Sequence, residues 1–134
     1  MAKNYAVMNL GTFRQDLAAK GRVMAGQALG LTGCEISFNH MPAGQYSPFV
    51  HTHKLNEEAY IVIDGTGEFM VDGEEFAVRE GSVLRVAPAG ERAIKAGPEG
   101  LTYLCIQAQA GSLTQASRED GVIGGTKASW MQEA

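Results

Sequence analysis

The sequence predicts an all-β fold, a small antiparallel sandwich or closed barrel preceded by one short helix. From about residue 33 onward, short apolar runs are separated by glycine-containing turns, and the chain has 17 glycines in all. Asp-Gly pairs at 64–65 and 72–73 favour tight hairpins. Many short strands at such close spacing are typical of a β-sandwich or a small barrel.

Length and charge narrow the possible classes of protein. A chain of 134 residues fits one domain with one core. Its formal charge of −4, without a cluster of lysines or arginines, argues against a nucleic-acid partner. The N-terminus lacks the apolar stretch of a signal peptide, and no segment approaches the roughly 20 apolar residues that span a membrane. We therefore expect a cytoplasmic protein without a membrane partner, in which Cys34 and Cys105 are reduced, buried thiols.

The first element is a short helix. Thr12 begins a capping-box pattern with Gln15, and Gly21 follows the last helix-forming residues. We expect residues 1–32 to form a helix-containing arm, 33–110 the barrel, and 111–134 a C-terminal tail, all within a single domain. Trp130 and Met131 in that tail are expected to dock on the barrel or on a partner subunit.

The strands follow the arm in close succession. Each is an apolar or alternating run that ends at a turn signal. The predicted strands are 35–41, 49–53, 59–63, 67–71, 74–78, 82–87, 92–96 and 101–108.

One short run, residues 51–58, contains candidate metal ligands. His51 and His53 alternate in an extended segment, so their imidazoles share one face, and the residues that follow are long enough to bring Glu58 back opposite them. Two imidazoles and a carboxylate on one wall make a metal site. Glu57, with its shorter spacing from the histidines, is an alternative ligand.

The surrounding motif resembles the first signature of the cupins. In this pattern a glycine precedes H-x-H, then a glutamate, then six residues and a second glycine, here Gly44, His51, His53, Glu58 and Gly65, with six residues between Gly44 and His51. The start of the second signature is similar to the run from Gly81 through Pro88-Ala89-Gly90. Ala93 stands where that signature has histidine. The resemblance covers roughly residues 33–108.

The resemblance implies a small cupin-type barrel, a double-stranded β-helix or jelly roll, with any metal bound inside it. His51, His53 and Glu58 match three ligand positions, and the fourth ligand has no match. Two histidines and one carboxylate accept a divalent Fe, Mn, Ni, Cu or Zn ion and leave positions open for substrate. Family members commonly form homodimers.

Two further residues have alternative interpretations. His40 shares a face with Ile36 and Phe38 in the first strand and is a possible fourth ligand, although such a histidine is more often a surface or hydrogen-bonded residue. Arg92 cannot ligate a metal, because its guanidinium stays protonated. It pairs with an anionic substrate if it points inward, but a solvated rim position is the favoured expectation.

Strand parity indicates which residues line the pocket. Tyr60 shares the face of Glu58, whereas Ile61 points the other way. Tyr103 and Gln107 alternate on the final strand and are expected to supply polar groups, so we predict a substrate pocket of Tyr60, Arg92, Tyr103 and Gln107.

Three classes of function remain open at this level. The first is a metal-binding cupin that acts on a small-molecule substrate, as a dioxygenase or an isomerase. The second is a non-catalytic barrel that binds a small metabolite or sugar, with or without metal. The third is a structural domain in which the His-His-Glu group is vestigial.

Overall fold

The computed structural model describes residues 3–115 and 117–131. A π-helical turn, Phe13–Leu17, runs directly into α1 (Ala18–Lys20), and α2 (Gly26–Leu29) and α3 (Ser117–Asp120) are short. The strands are β1 (Arg22–Met24), β2 (Glu35–Met41), β3 (Asn56–Val71), β4 (Glu74–Arg79), β5 (Val83–Val86) and β6 (Arg92–Gln109). None of the helices in the described ranges has the length and apolar content that crossing a membrane requires.

The barrel is built on one long antiparallel ribbon. Strands β3 and β6 pair from Asn56 with Gln109 to Val71 with Arg92. The other strands extend this ribbon in the order β1-β2-β6-β3-β4, and β5 pairs with β3. Register shifts after Val62 and Gly65 bend the ribbon, so its two halves form opposite walls.

The bend explains why the predicted hairpin at Asp64-Gly65 is wrong. Gly65 has a φ of 87°, but the strand continues through it as a bulge, and a Cβ there would overlap the carbonyl oxygen of Gly100. Four predicted strands therefore merge in pairs into β3 and β6. The predicted strand at 49–53 is reduced to an isolated bridge between His51 and Arg92.

Other local predictions are confirmed. The strand predicted at 35–41 is β2. Asp72 (φ 52°) and Gly73 (φ 86°) form the tight turn between β3 and β4, since both take the left-handed conformation that such hairpins require. At the helix start, the Thr12 side chain accepts a hydrogen bond from Gln15 N at 3.2 Å. Asp16, rather than Gln15, completes the cap by accepting from Thr12 N at 2.7 Å.

The two faces of the barrel wall are both covered. Inside, the core includes Tyr60, Val62, Phe69 and Leu101. Outside, the N-terminal helix covers β2, where the Phe13 and Phe38 rings stack at 6.2 Å. This second layer explains why the outer face of β2 carries the apolar residues Ile36 and Phe38.

In the described part of the C-terminal tail, Trp130 and Met131 do not dock on the barrel as one alternative had it. Trp130 is 80% exposed and Met131 51%. The short helix α3 in this tail was not predicted. The alternative that these side chains contact a partner subunit stays a prediction.

Candidate functional site

The structure brings His51, His53 and Glu58 together at one end of the barrel. One donor atom from each lies within 4.8 Å of the other two. His51 is held by backbone hydrogen bonds to Arg92 in both directions, at 3.3 and 3.1 Å, and His53 N donates to Pro88 O at 2.9 Å. The histidine rings are 5.2 Å apart and nearly perpendicular.

Electrostatics favour the ligating form of two of these side chains. Burial lowers the pKa of His51, against the opposing effect of the Glu58 carboxylate, which favours neutral imidazole. Burial alone would raise the pKa of Glu58, but hydrogen bonds from Tyr60, Arg92 and Cys105 outweigh it and hold that pKa below its ordinary value. Neutral imidazole and ionised carboxylate are the forms that bind metal.

The two carboxylate oxygens of Glu58 have different hydrogen-bond partners. Oε1 accepts a hydrogen bond from the Tyr60 hydroxyl at 2.6 Å and another from Arg92 Nη1 at 2.7 Å. Oε2 lies 3.1 Å from His53 Nε2. The carboxylate is therefore fixed in orientation by its Oε1 contacts, with Oε2 directed towards the histidines.

Arg92 is inside the barrel, which corrects the expectation of a solvated rim position. It is 1% exposed, because Glu58 supplies a counterion and three backbone carbonyls accept from the guanidinium. Nε donates to Gly90 O at 3.1 Å, and Nη2 donates to Ala87 O at 2.7 Å and Pro88 O at 3.1 Å. A buried arginine with these partners is a structural charge, not a surface one.

The residue next to the missing fourth ligand is a buried cation. Ala93 follows Arg92 in β6 and carries no donor atom, and it is Arg92 that contacts Glu58. Within the described part of the chain, the group of possible ligands consists of three residues.

A cavity of about 240 Å³ adjoins this group. All four residues expected in the pocket, Tyr60, Arg92, Tyr103 and Gln107, line it. Gln107 lies opposite Glu58 across the β3–β6 pair. Burial raises the pKa of both tyrosines, that of Tyr103 to about 12, so both hydroxyls are protonated at neutral pH.

Four polar residues of the cavity wall were missed, one of them Ser47 in the segment between β2 and β3. Ser37 and Asn39 of β2 and Arg22 of β1 line the cavity. The alternation of Ser37 and Asn39 with Ile36 and Phe38 was a usable signal, but on β2 only the opposite face, with His40, had been considered for a contact with the metal. Arg22 gave no such signal, because β1 is only three residues long.

His40 is not brought to the group. Since Ser37 and Asn39 face the cavity, His40 lies on the outer face of β2. Its Nδ1 is 2.9 Å from Thr102 Oγ1, and Thr102 is itself buried. This is the hydrogen-bonded position that the alternative interpretation describes.

The donor set fits a divalent metal ion. Two imidazoles and one carboxylate suit iron, manganese, nickel, copper or zinc, and their donor atoms converge. The Arg92 charge opposes this fit, because it already neutralises Glu58 at 2.7 Å. We therefore expect weaker cation binding than a fourth neutral ligand would give.

Comparisons with known proteins identify the family that shares this architecture. The cupin domain family model matches residues 37–106. A cupin protein from Bacteroides fragilis has 44% sequence identity and a TM-score of 0.83, over 92% of this chain and 99% of that one. No curated protein sequence matches the chain.

Two more distant structures share the fold alone. A sugar phosphate isomerase of the cupin superfamily from Silicibacter pomeroyi has 20% identity and a TM-score of 0.59, over 79% of this chain and 69% of that one. A predicted oxalate decarboxylase from Thermotoga maritima has 21% identity and a TM-score of 0.52, over 55% and 64%. The matched family model and the 44% identity together confirm the barrel expected from the motifs: the chain belongs to the cupin family.

Proposed function

We propose that this protein is a metal-binding cupin that acts on a small-molecule substrate, as an oxygenase or an isomerase. His51, His53 and Glu58 would hold the ion. The observation that carries the proposal is the convergence of their three donor atoms within 4.8 Å, beside a cavity of about 240 Å³. A bound divalent ion would supply Lewis acidity towards an oxygen-bearing substrate.

The neighbouring residues support this role by positioning the ligands. Tyr60 and Arg92 occupy Oε1 of Glu58 and so leave Oε2 nearest to His53. Hydrogen bonds that orient ligating side chains in this way commonly determine metal affinity. The backbone of His51 is held by Arg92, so one arginine fixes two of the three ligands.

Metal content of the purified protein tests the proposal. The protein is reloaded anaerobically with ferrous, manganous, nickel or zinc ion and measured by elemental analysis. We expect near-stoichiometric metal in the unmodified protein and none in the variant with His51→Ala and His53→Ala. His40→Ala is the matched control, since it removes the third histidine of the chain outside the cavity. Metal retained by the double variant would contradict the assignment of the ligands.

A second candidate is a non-catalytic barrel that binds a small metabolite or sugar without metal. The observation in its favour is the buried Glu58–Arg92 ion pair, which satisfies the carboxylate without a cation. Absence of metal from all forms after reloading, with folding intact, would favour this candidate over the first.

The same proposal includes a homodimer in the cytoplasm. Val83 on β5 is 68% exposed and Trp130 in the tail 80%, and a second copy would cover such apolar surface. Both cysteines are free thiols, in keeping with a reducing compartment. Light scattering on the purified protein gives the oligomeric state directly.

A further inference from the structure

The cavity has a second polar end, apart from the three proposed ligands. Arg22 of β1 pairs in register with Asn39 of β2, and Asn39 pairs with Tyr103 of β6. Residues directly opposite on neighbouring antiparallel strands share a face, so these three side chains form one row across the wall. All three line the cavity.

Arg22 provides an uncompensated positive charge. Its side chain is exposed, and it forms no ion pair within the residues that the structure describes. Arg92, by contrast, is neutralised by Glu58.

Neutral hydrogen-bond donors stand beside that charge. The Tyr103 hydroxyl keeps its proton at neutral pH, and it has no hydrogen-bond partner in the described ranges. Ser37 accepts a hydrogen bond from Asn39 Nδ2 at 3.0 Å, which leaves the Ser37 hydroxyl proton for another acceptor. At the ligand end of the cavity, Gln107 lies opposite Glu58, accepts from Asn56 Nδ2 at 2.9 Å and keeps its amide nitrogen as a donor. Such donors match a ligand rich in oxygen acceptors.

We propose that the ligand of this cavity is a small oxygen-rich anion whose carboxylate or phosphate group pairs with Arg22 and hydrogen-bonds Tyr103. The proposal rests on the proposed function in that the remainder of the ligand faces His51 and Glu58. The cavity of about 240 Å³ limits its size. That volume corresponds to roughly eight water molecules, which suits a short hydroxy acid, dicarboxylate or phosphate ester.

Titration calorimetry at low ionic strength tests this assignment. The probes are malonate, glycerate and inorganic phosphate, with malonamide as an uncharged counterpart of malonate. They are titrated into protein stripped of metal, so that a bound ion cannot ligate the anion. The variants are Arg22→Gln and Arg22→Lys. Arg85→Gln is the matched control, because Arg85 is an exposed arginine of β5 outside the cavity.

We expect at least one anion to bind the unmodified protein and the Arg85→Gln control equally, and malonamide to bind neither. Arg22→Gln should weaken binding about tenfold or more, as loss of a hydrogen bond to a charged group does. Arg22→Lys should lose less, because it keeps the charge without the planar fork. Added salt should weaken binding to the unmodified protein, since Arg22 is exposed.

Three results would overturn the proposal: no anion bound by the unmodified protein, equal binding by Arg22→Gln, or equal binding of malonamide. The preference between phosphate and the carboxylates identifies the anionic group. Failure here and failure of the metal proposal are separable. If the protein never takes up metal but binds an anion in a way that needs Arg22, the anion proposal holds without the metal proposal. If the protein takes up stoichiometric metal and Arg22→Gln has no effect on anion binding, only the metal proposal holds.

Discussion

Replacing Arg92 by methionine tests the energetics of the site most directly. The substitution keeps an apolar side chain in the barrel but removes the counterion of Glu58, 2.7 Å away. It also removes the Arg92 hydrogen bonds to the carbonyls of Gly90, Ala87 and Pro88, of which Ala87 O and Pro88 O keep a backbone donor. Glu58 is 4% exposed, so water cannot replace the lost partner without rearrangement.

The expected loss of stability is large. Breaking a buried ion pair by removing one partner costs about 3–5 kcal/mol, against a total of about 5–15 kcal/mol for an ordinary domain. The melting temperature should fall by roughly 10 °C or more. Urea denaturation followed by circular dichroism measures the change. Arg14→Met is the control, because Arg14 is 81% exposed and 3.7 Å from Asp64, and such a surface pair contributes at most about 1 kcal/mol.

A double-mutant cycle separates the ion pair from simple loss of packing. Glu58→Gln alone leaves the Arg92 charge buried without its counterion and should also destabilise the fold. Combining it with Arg92→Met should cost less than the sum of the two single changes, because neither charge then remains alone. A loss below about 1 kcal/mol for Arg92→Met, or additivity in the cycle, would refute the reasoning.

Three further outcomes follow from the structure. The pKa of Glu58 is held below its ordinary value of 4.5. The stability that this carboxylate contributes is therefore complete above pH 4.5 and is lost as the pH falls below it, because the unfolded chain takes up the proton first. In urea denaturation between pH 6 and pH 3.5, the free energy of unfolding should decline less steeply for Glu58→Gln than for the unmodified protein. Gly65→Ala should destabilise the barrel by about 3 kcal/mol or more, because the new Cβ would overlap Gly100 O. Gly73 also has a positive φ, but open space surrounds it, so Gly73→Ala should cost about 1 kcal/mol in the same assay. Trp130 is the single tryptophan, and in the monomer its fluorescence should be that of an exposed indole, freely quenched by acrylamide.

Each of these three predictions has a result that would contradict it. An acid decline unchanged in Glu58→Gln would show that other carboxylates set the pH dependence. Equal losses for Gly65→Ala and Gly73→Ala would remove the steric argument for the bend. A tryptophan shielded from acrylamide in protein shown to be monomeric would contradict the exposed position of Trp130.

Local patterns were enough to predict most of the fold. The order of His51, His53, Glu58 and the flanking glycines resembles the first cupin signature, and this resemblance implied both the barrel and the grouping of three donor atoms. The strand β2 and the Asp72-Gly73 turn were also predicted, because each depends on residues close together in the chain. In these cases turn chemistry and side-chain alternation are sufficient.

The errors arise where a distant partner decides the outcome. Asp64-Gly65 has the composition of a hairpin, yet β6 pairs on both sides of it and keeps the strand continuous. Arginine usually lies at the surface, but Glu58 lies far from Arg92 in sequence and supplies a buried counterion. Strand parity left the inward face of β2 open, and the row of partners on β6 determines it.

The β3–β6 ribbon also sets the order in which the barrel can assemble. Its Val71–Arg92 end joins residues much closer in sequence than its Asn56–Gln109 end. Because closing shorter loops costs less entropy, we expect pairing to zip from Val71 towards Asn56. Arg92 is then placed early and Glu58 late. If pairing stops midway, Arg92 is buried without its counterion Glu58. The Glu58–Arg92 ion pair therefore stabilises the complete barrel but not a partly paired one.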